Sequence, residues 1–102
     1  KNIKVKYDHN KIAKKLAKKF KSTYRHQGVD ILSKGKAIEV AVSLSDLYQS
    51  IRQLNRSRAS KKYIAVPPYL IPKAKELLEG SGIGIMNTKG QIRKKCRRKL
   101  RV

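Results

Sequence analysis

At 102 residues the chain has room for one domain with one modest core and no second. Its 39% of hydrophobic residues is ordinary globular material, which excludes a disordered tail. A formal net charge of +21 repels itself in a compact state, so a partner is expected to use it: a phosphate backbone first, an acidic membrane surface second.

No apolar run is long enough to span a bilayer and no signal peptide is visible, so no membrane insertion is expected. The single Cys96 excludes an internal disulfide and a cysteine-built zinc site. It is compatible with a reducing compartment, and a cytoplasmic, intracellular protein is expected.

Residues 1–7 alternate Ile3, Val5 and Tyr7 with polar neighbours, as an arm or short edge strand does. Asp8 or Asn10 can cap a helix running to about residue 21, with Ile12, Ala13, Leu16, Ala17 and Phe20 on one stripe. Lysines cover much of its remaining surface, either as a solvated face or as phosphate contacts. A strand over residues 28–32 and a second over 37–43 flank the turn at Lys34-Gly35. Ser43 or Ser45 then caps a helix to about residue 55, with Leu44, Leu47, Tyr48, Ile51 and Leu54 as the buried stripe. After a basic, serine-rich loop, residues 63–66 form an apolar run typical of a central strand, stopped by Pro67-Pro68. A helix from residue 69 or 70 to 79 accepts Pro72 in its first turn and ends at Gly80 or Gly82. Residues 83–86 form another buried strand, and Gln91 onward starts a last one before a basic tail.

The expected order is α-β-β-α-β-α-β. A hairpin followed by strand–helix–strand crossovers predicts an α/β fold, a mixed sheet with helices on both faces. Residues 1–92 are expected to form the single domain and residues 93–102 a basic C-terminal tail.

Each hairpin strand carries one acid in an apolar run, Asp30 and Glu39. One such acid alone suggests a buried ion pair or a solvent-facing group. Two on adjacent strands of a chain with six acidic residues suggest a divalent-metal site.

Asp30, a turn, then Glu39-Val40-Ala41 resembles the PD-(D/E)XK nuclease superfamily, which includes archaeal Holliday junction resolvases and restriction-type enzymes. Ser45-Asp46-Leu47-Tyr48-Gln49 through Arg52-Gln53-Leu54 resembles the helix after the catalytic strand, and residues 63–67 and 82–85 resemble the later core strands. The resemblance covers about residues 12–92. It implies a restriction endonuclease-like fold and a Mg²⁺-dependent DNA endonuclease hydrolysing phosphodiester bonds, with Mn²⁺ as a substitute. It also implies Asp30, Glu39 and the Val40 backbone carbonyl as metal ligands, and Gln53 near the site. Asp8 is a further candidate ligand, its alternative being a helix cap. A duplex or branched DNA substrate is implied, with a homodimer for paired cuts and a virus or mobile element as one origin.

The chain departs from this pattern at residue 41, which is Ala where the family has its catalytic Lys. Glu39 and residue 41 fall on the same side of a strand. A methyl group there cannot donate a hydrogen bond or carry charge. Either the chain has been disabled by substitution, or it is a natural member that binds without cutting; a replacement cation from Lys36 or Arg52 is a third route. Val29 also stands where the family has proline.

Phosphate contacts are expected from Lys14, Lys15, Lys18, Lys19, Arg25, Arg52, Arg56, Arg58, Lys61, Lys62, Arg93, Arg97 and Arg98. No recognition helix is evident, which favours backbone- or structure-directed binding over base readout. A non-catalytic nucleic-acid-binding protein on the same fold is the competing expectation, and a basic RNA-binding protein the third. His9 and His26 lack metal-ligand spacing. Tyr48 and Tyr63 are expected in the core, and Tyr24 and Tyr69 as nucleic-acid contacts.

Overall fold

The Asp8 carboxylate accepts the Lys11 N–H at 3.1 Å and caps the first helix, α1 (His9–Lys19). This is seen in a computed structural model that describes residues 7–24 and 29–97. The expected strand or arm over residues 1–7 lies outside the described residues except for Tyr7, as do Arg25, His26 and Arg98. Ile12, Ala13, Leu16 and Ala17 form the buried face of α1, as the spacing predicts.

The hairpin strands are β1 (Ile31–Ser33) and β2 (Lys36–Val40), paired antiparallel with Ser33 opposite Lys36. The two-residue turn has positive φ at both Lys34 (50°) and Gly35 (76°). That is the twist a tight hairpin requires, and glycine supplies the second of these conformations without strain. Both strands are shorter than expected. β1 begins one residue after Asp30, because the Asp30 N–H is given to the Glu39 carboxylate instead of a strand carbonyl. β2 ends at Val40, whose N–H goes to the Asp30 side chain.

Ser43, not Ser45, caps α2 (Leu44–Arg56) by accepting the Asp46 N–H at 3.2 Å. Leu47, Ser50 and Leu54 face inward and Ile51 is half-buried. Leu44 and Tyr48 are 44% and 43% exposed, against the expectation that they complete the buried stripe. The helix is rotated so that a serine, not the tyrosine, faces the sheet. β3 (Lys61–Ala65) follows, then a 3₁₀ turn at Pro68–Leu70, α3 (Ile71–Leu78), β4 (Gly84–Met86) and β5 (Ile92–Lys94). β5 carries Arg93 and Lys94 into the sheet, so the domain extends past the expected boundary at residue 92.

The protein is thus α/β: the described residues form a five-stranded mixed sheet in the order β1-β2-β3-β4-β5 and three α-helices. β2, β3 and β4 are parallel, and β1 and β5 run antiparallel at the edges. Two cores lie on opposite faces, as strand alternation demands. On one, Ile12 and Leu16 of α1 meet Ile31, Ile38, Val40, Tyr63 and Met86. On the other, Leu47 and Leu54 of α2 and Ala74 and Leu78 of α3 meet Ala37, Ile64, Val66 and Ile85. Each fully buried Leu or Ile contributes roughly 1.5–3 kcal/mol, which holds together a chain whose surface charge opposes compaction.

Candidate functional site

Continuing the β1–β2 register by one step from the Ile31–Ile38 pair sets Asp30 opposite Glu39. Directly opposed residues of an antiparallel pair share a face, so the two carboxylates project to the same side. The Asp30 N–H donates to Glu39 Oε2 at 2.6 Å, and the Val40 N–H donates to Asp30 Oδ2 at 2.9 Å. Each acid is therefore held by backbone at or beside the other.

α1 delivers His9 to the same place. Its Nε2 lies 3.0 Å from Asp30 Oδ2. The hydrogen bond to Asp30, opposed by partial burial, pushes the imidazole up to about 9. The ring is thus an imidazolium at neutral pH, with Nε2–H donating to Asp30. Its Nδ1 faces the Tyr24 hydroxyl at 3.4 Å, and that hydroxyl donates to Asn10 Oδ1 at 2.8 Å. Burial, then the charges of Asp30 and Glu39, raise the Tyr24 phenol, so it stays protonated as a donor. Glu39 is only 6% exposed. Burial first, and the neighbouring Asp30 charge second, push its carboxyl up to about 8.

These groups open into a cleft of about 380 Å³, lined by His9, Tyr24, Asp30, Glu39 and Val40 on one side and by Asp46, Gln49, Ser50 and Gln53 of α2 on the other. Three of the chain's six acidic residues line it, and among the described residues no Lys or Arg does. Part of Asp46 is structural, since its carboxylate also accepts the Val42 N–H at 3.4 Å.

Asp30, Glu39, Val40 and Gln53 are therefore brought together. Asp8 is not: it caps α1 and lines a separate cavity with Tyr7, Lys11 and Lys15. Ala41 is fully buried in the core with Leu47 and does not line the cleft. Neither Lys36 nor Arg52, the expected substitutes for a lysine at residue 41, lines the cleft. Lys36 Nζ sits 4.8 Å from the Phe20 ring centroid and 5.7 Å from that of Tyr63, on the α1 side of the sheet, and Arg52 is exposed outside the cleft. Among the described residues that line the cleft, His9 is the cation.

Among the expected phosphate contacts, Lys14, Lys15, Lys18 and Lys19 are exposed on α1. Lys61 and Lys62 open β3 opposite Lys36 and Ala37 at the hairpin-turn end, where the Lys61 N–H donates to the Gly35 carbonyl at 3.2 Å, and Arg56 and Arg58 lie at the end of α2 and in the loop that leads into β3. The hairpin-turn end is the far end of β2 from Glu39. Arg93 and Arg97 are exposed at and beyond β5. Among the described residues, Lys73–Glu76 at 3.6 Å is the one ion pair that uses a Lys or Arg. Tyr63 is buried as expected, whereas Tyr48 is exposed; Tyr24 lines the cleft, and the exposed Tyr69 donates to the Val42 carbonyl.

The donor set can be compared with what a divalent cation needs. Among the described residues no group of three or more His, Cys, Asp or Glu converges as an all-protein cage would. Mg²⁺ does not need one: it takes one or two carboxylates and completes its shell with water and substrate phosphate. Two opposed carboxyl groups, one of them held protonated first by burial and then by the other's charge, fit that chemistry.

Compared with known proteins, the chain matches no protein-family model, no curated protein and no solved structure. Among the described residues no helix is long and apolar enough to cross a membrane.

Proposed function

We propose that this protein is a metal-dependent phosphodiesterase acting on DNA, built on a scaffold similar to the PD-(D/E)XK nucleases and impaired by Ala41. One observation carries the reading. A chain of net charge +21 gathers three of its six acids in one cleft that, among the described residues, no Lys or Arg lines. A surface built only to hold phosphates has no use for such a cluster, because even with Glu39 protonated and His9 cationic it attracts phosphate less than the lysine-covered surface around it. A carboxylate pair that takes a cation first has that use.

Asp30, Glu39 and the Val40 carbonyl would hold Mg²⁺ or Mn²⁺. When bound, the ion polarises a phosphoryl oxygen and lowers the pKa of water. The chain's own residues do the rest. His9 donates to Asp30 and fixes the orientation of its carboxylate, and Tyr24 and Asn10 hold the His9 ring. Glu39 would have to give up its proton to serve as a ligand. Gln53 lines the wall where a water or phosphate oxygen would rest.

A second reading, a nucleic-acid-binding protein that does not cut, is favoured by the same residue 41: its methyl group is buried and supplies no charge. Cleavage of labelled duplex, nicked, branched and single-stranded DNA by this protein and by Ala41→Lys, with Mg²⁺, Mn²⁺ or EDTA, separates the two. Asp30→Asn in the lysine background controls for contaminants. Metal-dependent cutting with lysine restored supports the phosphodiesterase; tight, salt-sensitive binding with no cutting by either leaves the binding protein.

A further inference from the structure

We propose that the groove between α1 and residues 22–24 is a phosphate subsite that holds the DNA strand beside the cleft. This rests on the reading of the cleft as a nucleic-acid site. The groove has a volume of about 440 Å³ and is lined by Lys14, Ala17, Lys18, Ser22, Thr23 and Tyr24. Tyr24 also lines the cleft, so one ring forms a wall of both cavities.

The two cavities differ in electrostatic character: the cleft collects acidic side chains and the groove lysines. No acidic residue occurs between His9 and Val29 in the sequence, so α1 and the segment after it are wholly basic. Lys14 and Lys18 are one helical turn apart, about 6 Å along the axis, and project from the same face. Both are exposed, and neither is in an ion pair among the described residues. The Thr23 side chain is exposed at the same groove. The Ser22 hydroxyl is already committed, donating to the Leu32 carbonyl at 2.9 Å, and this ties the segment to β1. At the other end the Tyr24 hydroxyl donates to Asn10, so the groove wall is anchored at both ends.

A phosphodiester strand that reaches Asp30 and Glu39 meets three acidic side chains there, offset by His9 alone among the described lining residues. Its next phosphate needs charge of the opposite sign immediately outside. The groove that shares Tyr24 supplies two ammonium groups for that phosphate and an aromatic wall for the sugar or base between. Lys61 and Lys62, beside the opposite end of β2, cannot serve this position.

The test is equilibrium binding of a short labelled DNA single strand and the matching duplex to the full chain in EDTA, across a salt series. The Lys14→Gln/Lys18→Gln double variant is compared with Lys73→Gln/Lys75→Gln on α3, which removes the same charge. The groove variant is expected to bind roughly tenfold more weakly. Its log K against log salt slope for duplex is expected to fall by roughly 0.9, for the one phosphate that the two ammonium groups share. The α3 variant is expected to change neither by a comparable amount. Equal weakening by both variants overturns the subsite and leaves diffuse charge attraction. No binding by the unaltered chain overturns instead the nucleic-acid reading beneath it. Circular dichroism melts of each variant confirm that the fold is retained.

Discussion

Glu39 accepts the backbone N–H of Asp30 at 2.6 Å, and Asp30 in turn accepts the N–H of Val40, the residue after Glu39. The two acids thus close the open end of the β1–β2 hairpin with their side chains where the strand ladder stops. The arrangement sets two carboxylates side by side in a buried place. That conflict is relieved by a proton, by His9 or by a cation.

The proton-linked part predicts how stability depends on pH in EDTA. Glu39 is raised from 4.5 to about 8, so the folded state keeps a proton that the unfolded state releases. Its contribution is fully present below 4.5 and is lost as pH rises through about 8. His9 is raised from 6.5 to about 9, and its contribution is likewise present below 6.5 and lost through about 9. Both groups act in one direction, so the melting temperature should fall steadily between roughly pH 5 and pH 10. Glu39→Gln should flatten the lower part of that fall, and His9→Gln the upper part. A melting temperature that rises over this range contradicts the assignment.

Divalent metal should reverse the loss. Binding requires ionised Glu39, so protons compete and affinity should be greater at alkaline than at mildly acidic pH. At metal concentrations about 100-fold above Kd the gain is about 2.7 kcal/mol, enough to move the melting temperature by several degrees in a domain of this size. Asp30→Asn and Glu39→Gln should each abolish the shift with Mg²⁺ and Mn²⁺. Equal shifts in the unaltered chain and in both variants would place the metal elsewhere.

A third prediction concerns the scaffold alone. A Cβ on Gly84 would stand 2.6 Å from the Cys96 backbone nitrogen and 2.6 Å from a Tyr63 ring carbon. Backbone cannot yield as a flexible side chain does, and Tyr63 is held between the sheet and the Lys36 ammonium. Gly84→Ala should therefore cost about 1–3 kcal/mol and lower the melting temperature by about 4–8 °C per kcal/mol. Below its melting point the variant should bind DNA as the unaltered chain does. An unchanged melting temperature would mean that β4 and β5 separate easily.

Much of this was legible in sequence where the determinants are local. The alternation around Lys34-Gly35 gives the hairpin, and a two-residue turn fixes the register that sets Asp30 against Glu39. The strand ends were not legible, because side-chain carboxylates take the amides that ladder bonds would have used. Nor was His9, whose partner is 21 residues away and is reached only once Ile12 and Leu16 have packed α1 on Ile38 and Val40. Its place in the first turn of the amphipathic helix was the available signal, and metal-ligand spacing was the wrong criterion for it. On α2, Leu44 and Tyr48 satisfy helical spacing as well as Ser50 fails it. The rotation that sends Ser50 inward, and Gln53 to the cleft, is decided by contact with the sheet.

Residue 41 gives the most discriminating prediction. Ala37 and Ala41 lie in the core with Leu47, on the side of β2 that Glu39 shares by alternation. A lysine at 41 begins about 7 Å along the chain from Glu39. Its stem must therefore displace packed core atoms before its ammonium group can enter the cleft. Ala41→Lys should lower stability by about 1–3 kcal/mol, and acidic Asp30, Glu39 and Asp46 should draw the charge into the site. Ala41→Met has a side chain of similar length without the charge and should lose similar stability. Metal-dependent cleavage by the lysine variant alone, at matched loss of stability, would show that charge at this position is what the site lacks. Cleavage by both would trace activity to loosened packing. Cleavage by neither, with melting curves showing both folded, would remove the catalytic reading and leave the acids with a structural or metal-binding role.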